Sequence, residues 1–238
     1  MNINLKLILG FIYIVCLGIL LVLLFSNLDL KDLTDYTYIK SNSEELLNLK
    51  KNYLILFIFI FFIFSILWIF LLGFAGPVAL LSGYIFGKWF GTVISVTSFA
   101  IGSTLLYIFA NYYFRNLIID YLEKKIEKYK SLFKKNELIY FMIFRFAGGG
   151  GIPFGIQNVL PVVFDIKVKN YFYATFFGLF PNVFIINSLG SGLEKLIEMN
   201  DTLTYSKIIF NPEIYWPIIG FLFLLFVSFL VRKKFFKK

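Results

Sequence analysis

One charged side chain sits where charge is costly. Arg145 lies inside the apolar run Phe141 to Val159, FMIFRFAGGGGIPFGIQNV. A guanidinium at membrane depth costs from ~3 kcal/mol on insertion scales to ~10 or more in simulations, so it faces water, a partner or a ligand. No carboxylate shares its segment, and the nearest acids, Glu137 and Asp165, stand at its edges. An arginine without a built-in partner can hold a phosphate bidentately. Four glycines follow, 148 to 151, then Pro153, Gln157 and Asn158. Gly149, Gly150 and Gly151 let the backbone approach a ligand and present N–H groups to it. A helix beginning near Pro153 would aim its positive end at an anion. With Gln157 and Asn158 adding neutral hydrogen bonds, the set reads as a phosphate-headgroup pocket opening sideways to lipid tails. The alternative is structural: Arg145 pairs with Asp165 or caps carbonyls. Asn158 and Asn182 would likewise only hydrogen-bond across helices, for roughly 0.6 kcal/mol each.

Composition narrows the chemistry. Hydrophobic residues make up 59% of 238, with 32 Phe, and mean hydropathy is +0.81, values of an integral membrane protein. There is no histidine, which removes imidazole bases, Ser-His-Asp triads and imidazole metal sites. The single cysteine, Cys16, allows neither an intrachain disulfide nor a thiolate metal cluster. A hydrolase or metalloenzyme is therefore not expected, nor any cofactor or metal. The net charge of +9 flanks apolar spans, where Lys and Arg hold loops on the cytoplasmic side, so nucleic acid is not the expected partner.

The elements that must position Arg145 follow from the hydrophobic pattern. Leu7 to Leu28 is uncharged and meets the ~20 apolar residues a span requires; with no cleavage site before Asp29 it reads as a retained anchor. Asp29 to Asn52 is a mixed-charge loop with a short helix around Ser43 to Lys50. Tyr53 to Leu72 is a second span. Gly73 to Gly91 is apolar but holds Gly76, Pro77, Gly83, Gly87 and Gly91, and is too short to cross ~30 Å. A re-entrant hairpin fits it, and a helix packed closely through small residues is the alternative. Thr92 to Phe114 forms a third span. In Arg115 to Glu137 the apolar positions Ile118, Leu122, Ile126, Tyr129 and Phe133 alternate with lysines, an amphipathic surface helix suited to the anionic cytoplasmic leaflet. Leu138 to Val163 is a second hairpin turning at the glycine run. Tyr171 to Gly190 is a fourth span holding Gly178, Pro181 and Asn182; Ser191 to Glu213 is a polar loop; Ile214 to Val231 is the last span.

With five spans, two hairpins and a cytoplasmic C-terminus, 18 Lys and Arg lie inside, and Lys6, Lys195 and Lys207 outside. The two halves echo each other: Pro77 precedes Gly102, and Pro153 precedes Gly178, by the same 25 residues. Inverted repeats with broken helices are a transporter architecture.

Gly76-Pro77, Leu81-Ser-Gly83, Phe86-Gly87 and Gly91, then Phe141-x-x-x-Arg145, Pro153-Phe154, Asn158, Gly178-x-x-Pro181 and Leu189-Gly190 resemble, in order, the DedA/VTT-domain superfamily, which includes SNARE-associated Golgi proteins. The resemblance covers roughly Leu72 to Gly192. It implies two opposed re-entrant hairpins and movement of lipids between leaflets, with undecaprenyl phosphate or a glycerophospholipid as bacterial cargo. Two departures stand out. The best-known bacterial members resemble proton-coupled transporters with acids in the first hairpin, whereas this chain has no Asp or Glu from Leu46 to Ile119. Its second hairpin also carries four glycines where relatives often have fewer.

The expected molecule is an all-α integral membrane protein of about five transmembrane helices, two opposed re-entrant hairpins and a basic amphipathic surface helix. Residues 1–52 form the anchor and loop, 53–192 the core, and 193–238 a loop, the last helix and a basic tail. Gly76, Pro77, Gly83, Gly87, Gly91, Gly178, Pro181, Asn182 and Gly190 would shape and pack the hairpins. It would be a non-enzymatic flippase or scramblase of phosphate-headed lipids in a bacterial inner membrane, or else a small-anion channel or a membrane scaffold.

Overall fold

The computed structural model describes residues 48–71, 73–199 and 210–235, with scattered helical positions between 8 and 22. Most of the expected anchor Leu7–Leu28 and of the loop Asp29–Asn52 lies outside the described residues, as do the side chains of 122–129. The chain divides into two compact units, Met1–Phe59 and Ile60–Lys238. In the first, the described part is helical at 48–52 and at the start of α1. The second carries everything discussed below.

From Leu54 onward, eight helices and two short 3-10 segments make up the described part: α1 (Leu54–Phe70), α2 (Ala75–Phe86), α3 (Lys88–Tyr113), α4 (Arg115–Lys135), α5 (Glu137–Phe146), a 3-10 turn (Gly148–Gly151), α6 (Phe154–Val159), a second 3-10 turn (Leu160–Phe164), α7 (Val168–Met199) and α8 (Pro212–Phe235). No strand occurs among the described residues. Two helices, α3 and Val168–Ile197 of α7, are long and apolar enough to cross a membrane.

The first expected hairpin is redrawn. The 12 residues of α2 reach only about 18 Å. At Gly87, φ is +77°, a value that costs glycine nothing, and it turns the chain into α3. Gly91 and the expected span from Thr92 then run together as one 26-residue helix. Gly76, expected to pack, has nothing within 4 Å of where a Cβ would stand. The expected polar loop Ser191–Glu213 is also corrected, because α7 continues to Met199. Leu196 and Ile197 are buried there, and Gly192 lets the Glu213 backbone of α8 come close. The start of α8 moves back to Pro212, where the Asn211 Oδ1 accepts the Glu213 N–H at 2.8 Å.

Helices α3 and α7 run antiparallel. Gly91, near the start of α3, lies against Asn187 late in α7, and Tyr107, late in α3, stacks on Tyr171 early in α7 at 4.5 Å. Two glycines bring α2 onto α7 without side chains between: Gly83 meets the Asn187 backbone, and Gly190 meets the Leu80 carbonyl. At the far end Arg115, first in α4, pairs with Asp165 at 3.0 Å. The mouth of the second hairpin is tied by Glu137, which accepts the Lys167 N–H at 3.2 Å and the Asn170 side chain.

A 76-residue repeat runs through this arrangement. Helices α1 and α5 end at Phe70 and Phe146. A methyl added at Gly102 would come within 2.7 Å of the Ile66 carbonyl and 3.0 Å of the Ile69 Cβ. One added at Gly178 would come within 2.7 Å of the Met142 carbonyl and 2.6 Å of the Arg145 Cβ. Each of these four residues in the second half lies 76 positions after its counterpart. The repeat makes α1–α2 the counterpart of α5–α6, and Ile69 the counterpart of Arg145.

Candidate functional site

Helix α5 delivers Arg145 from its last turn into the centre of the second unit, where it is 0% exposed. Gly178 permits this, since its missing side chain leaves room for the first carbon of the arginine. The guanidinium Nη2 donates to the Asn158 Oδ1 at 2.7 Å and the Tyr171 hydroxyl at 2.9 Å, and Nη1 donates to the Gln157 Oε1 at 3.4 Å. The Tyr171 hydroxyl in turn donates a hydrogen bond to the Asn158 backbone carbonyl at 3.1 Å. Three rings enclose the cation: Phe141, Phe154 and Tyr171, centred 4.9, 5.4 and 5.7 Å from the guanidinium carbon. Such contacts contribute about 0.5–2 kcal/mol each, more when desolvated.

All these partners are neutral. Asp165, one expected counter-charge, is taken by Arg115 and is largely exposed, so that pairing is overturned; nor does any described bond of Arg145 reach a backbone carbonyl. Two donors at the site are buried without a hydrogen-bond partner: the Arg145 Nε and the Asn158 Nδ2. The hydroxyls of Ser103 and Thr175 flank the Tyr171 phenol. An N–H of arginine and an amide NH₂ can only donate, so the unmet need is for an acceptor. Left unmet, a buried donor costs ~1–3 kcal/mol, and more on a charged group.

The glycine turn differs from expectation. Gly148 and Gly149 take φ of +64° and +65°, and the Gln157 amide lies directly on Gly149. From there its Nε2 donates to the Gly148 carbonyl at 3.2 Å and the Ile152 carbonyl at 2.6 Å. The turn thus offers carbonyls to Gln157, and Gly150 and Gly151 complete the 3-10 segment. Pro153 stands just before α6, whose six residues run on directly into the 3-10 turn Leu160–Phe164. The pocket does not open sideways here, because the three rings close over Arg145. Asn182 donates to the Phe146 carbonyl at 3.0 Å and caps α5, one residue after Pro181, whose ring withholds a backbone donor within α7. Among the described residues no cluster of His, Cys, Asp or Glu could hold a metal.

Sequence reading singled out Arg145, Gln157 and Asn158, and the structure brings these three together. It missed Tyr171, Ser103 and Thr175, which arrive from α7 and α3. The 76-residue register offered a signal for Tyr171 alone, since it aligns that residue with Ser95, another polar position, whereas Ser103 and Thr175 align with Leu179 and Phe99.

The VTT domain family matches residues 75–192. A Caenorhabditis elegans protein named Transmembrane protein 41 homolog is 25% identical over 150 residues, 60% of this chain and 61% of its own. A Bacillus subtilis (strain 168) protein, Uncharacterized protein YqeD, is 28% identical over 140 residues, 56% of this chain and 64% of its own. The matched stretch thus spans somewhat over three fifths of each relative. No solved structure matches the chain. Family match, relatives and the ordered glycines, prolines and arginine converge: the chain belongs to the DedA/VTT-domain superfamily of membrane proteins.

Proposed function

We propose that the protein moves phosphate-headed lipids between leaflets without covalent chemistry, and that Arg145 receives the phosphate. The observation that carries this reading is the buried cation with neutral partners, whose own Nε and the neighbouring Asn158 Nδ2 lack an acceptor. A phosphate supplies acceptor oxygens and the missing negative charge together. In this reading α3 and α7 cross the bilayer, while α1–α2 and α5–α6 enter from opposite faces and turn near its middle. The antiparallel α3–α7 pair and the 76-residue repeat support that placement. Headgroup entry requires Phe141 and Phe154 to part, and the four-glycine turn is the nearest backbone able to allow it. A bacterial inner membrane and a cytoplasmic C-terminus fit the charge distribution of the loops.

The test is leaflet exchange of a labelled anionic phospholipid in vesicles holding the purified protein. Arg145→Gln keeps hydrogen-bonding capacity but removes the charge, and should slow exchange about tenfold or more, the worth of one charge-assisted contact. Unchanged exchange in a folded variant refutes the assignment. Chloride or phosphate flux without lipid exchange would instead identify a small-anion pathway at the same arginine.

A further inference from the structure

A second site lies at the opposite end of α3. A cleft of about 380 Å³ opens where the start of α3, the later part of α7 and the start of α8 meet. Lys88, Ser188 and Glu213 give it polar walls, and Phe184, Trp216 and Pro217 give it an apolar floor. Its α8 side lies beyond the family-matched residues.

Charge in the cleft is unbalanced. The carboxylate of Glu213 is held by Lys195 at 2.6 Å and also lies in the field of Lys88, so two cations share one carboxylate and the cleft keeps a net positive charge. Lys88 is also the first residue of a 26-residue helix, the end where a cation is disfavoured, and Gly87 before it has no side chain to cap the free N–H groups. An anion at this place relieves both. The apolar side of the cleft argues that the anion comes with hydrocarbon attached. Trp216 is 63% exposed at the cleft, and α8 continues from it with Leu222, Phe223, Phe226 and Phe229 all exposed. A free inorganic anion makes no use of that wall. Aromatic rings with one wet and one apolar side mark headgroup level in membranes.

We propose that this cleft holds one anionic phospholipid, with Lys88 facing the phosphate, Trp216 against the glycerol region and the acyl chains lying along α8. The site is separate from Arg145 and stands whether or not the transport reading does.

Quenching of tryptophan fluorescence by brominated lipids reads the cleft locally. Full-length protein is reconstituted with brominated phosphatidylglycerol or brominated phosphatidylcholine, and the share of Trp216 is taken as the difference from Trp216→Phe. That share should be quenched at about fivefold lower mole fraction of phosphatidylglycerol, the preference expected for one lysine near anionic lipid. Lys88→Gln should erase the preference and leave quenching by phosphatidylcholine as it was. Lys88 and Trp216 are both exposed, so neither substitution threatens the fold. Equal quenching by the two lipids in the wild type, or a preference that survives Lys88→Gln, overturns the proposal.

Discussion

Alanine at Gly178 and alanine at Gly102 separate what the repeat does for packing from what it does for the arginine. At Gly178 the new methyl would stand 2.6 Å from the Arg145 Cβ and 2.7 Å from the Met142 carbonyl, neither of them the end of a flexible chain. Ordinary contact begins at 3.4 Å, so α5 must retreat by about 0.7–0.8 Å. Overpacking of that kind costs ~1–3 kcal/mol, offset by ~1 kcal/mol of helix propensity gained in replacing glycine. Gly102→Ala meets the same clash with Ile66 and Ile69, so the two variants should lose similar thermal stability in detergent. Their effects on lipid exchange should differ. A retreat of α5 draws the guanidinium from contacts at 2.7 and 2.9 Å toward the limit of a hydrogen bond. Gly178→Ala should therefore slow exchange about tenfold, whereas Gly102→Ala, which displaces only apolar Ile69, should stay within about twofold of wild type. The assay is vesicle exchange normalised to folded protein. Equal loss in both variants would show that the position of Arg145 is not what exchange depends on.

Two further substitutions probe the surroundings of the site. Tyr171→Phe keeps the stack on Tyr107 but removes the hydroxyl that joins Arg145 to the Asn158 carbonyl; thermal unfolding should report a loss of ~0.6–1.7 kcal/mol and exchange should fall. Gly149→Ala adds left-handed backbone strain of ~1–2 kcal/mol and pushes the Gln157 amide off two carbonyls, whereas Gly148→Ala has the same strain with open space around it. Stability should fall in both, and further in Gly149→Ala; an equal loss would show that Gln157 does not hold the turn.

Local signals carried much of the architecture. Gly87 and the glycine run marked both reversals because only glycine accepts their φ freely, and the amphipathic period of α4 was plain from Ile118 to Phe133. Where expectation failed, tertiary contact outweighed local pattern. Ser191 and Gly192 look like loop residues, yet both are buried, and Gly192 lets α7 meet the backbone of α8 as the helix runs onward. Gly91, expected to pack, does so beside the Ser82 and Asn187 oxygens, but from inside α3 rather than at the end of a hairpin. At the site, the arginine was legible because an uncompensated charge in an apolar run has few other readings. Its real surroundings were not, because Tyr171, Ser103 and Thr175 come from helices 26 to 42 residues away and look like ordinary membrane hydroxyls until packing gathers them.

The repeat shows why a single arginine is the informative feature. Both halves solve the same packing problem in the same way, a glycine on the long helix seated on a carbonyl and a Cβ of the hairpin arm, and each half buries polar groups at matched places, Ser82 and Asn158 in the hairpins, Ser95 and Tyr171 on the long helices. Folding therefore does not require the cation, since Ile69 fills its counterpart position and is equally buried. A residue that the fold can replace with isoleucine, that costs several kcal/mol to keep charged at depth, and that still has donors to offer is retained for something outside the fold. An acceptor-rich anion meets that need, and a symmetric pair of cations would have doubled the cost while drawing the headgroup to two stations. In the proposed transport, confining the charge to one half would give the route a single point of recognition, with the neutral half free to shape the bilayer around it.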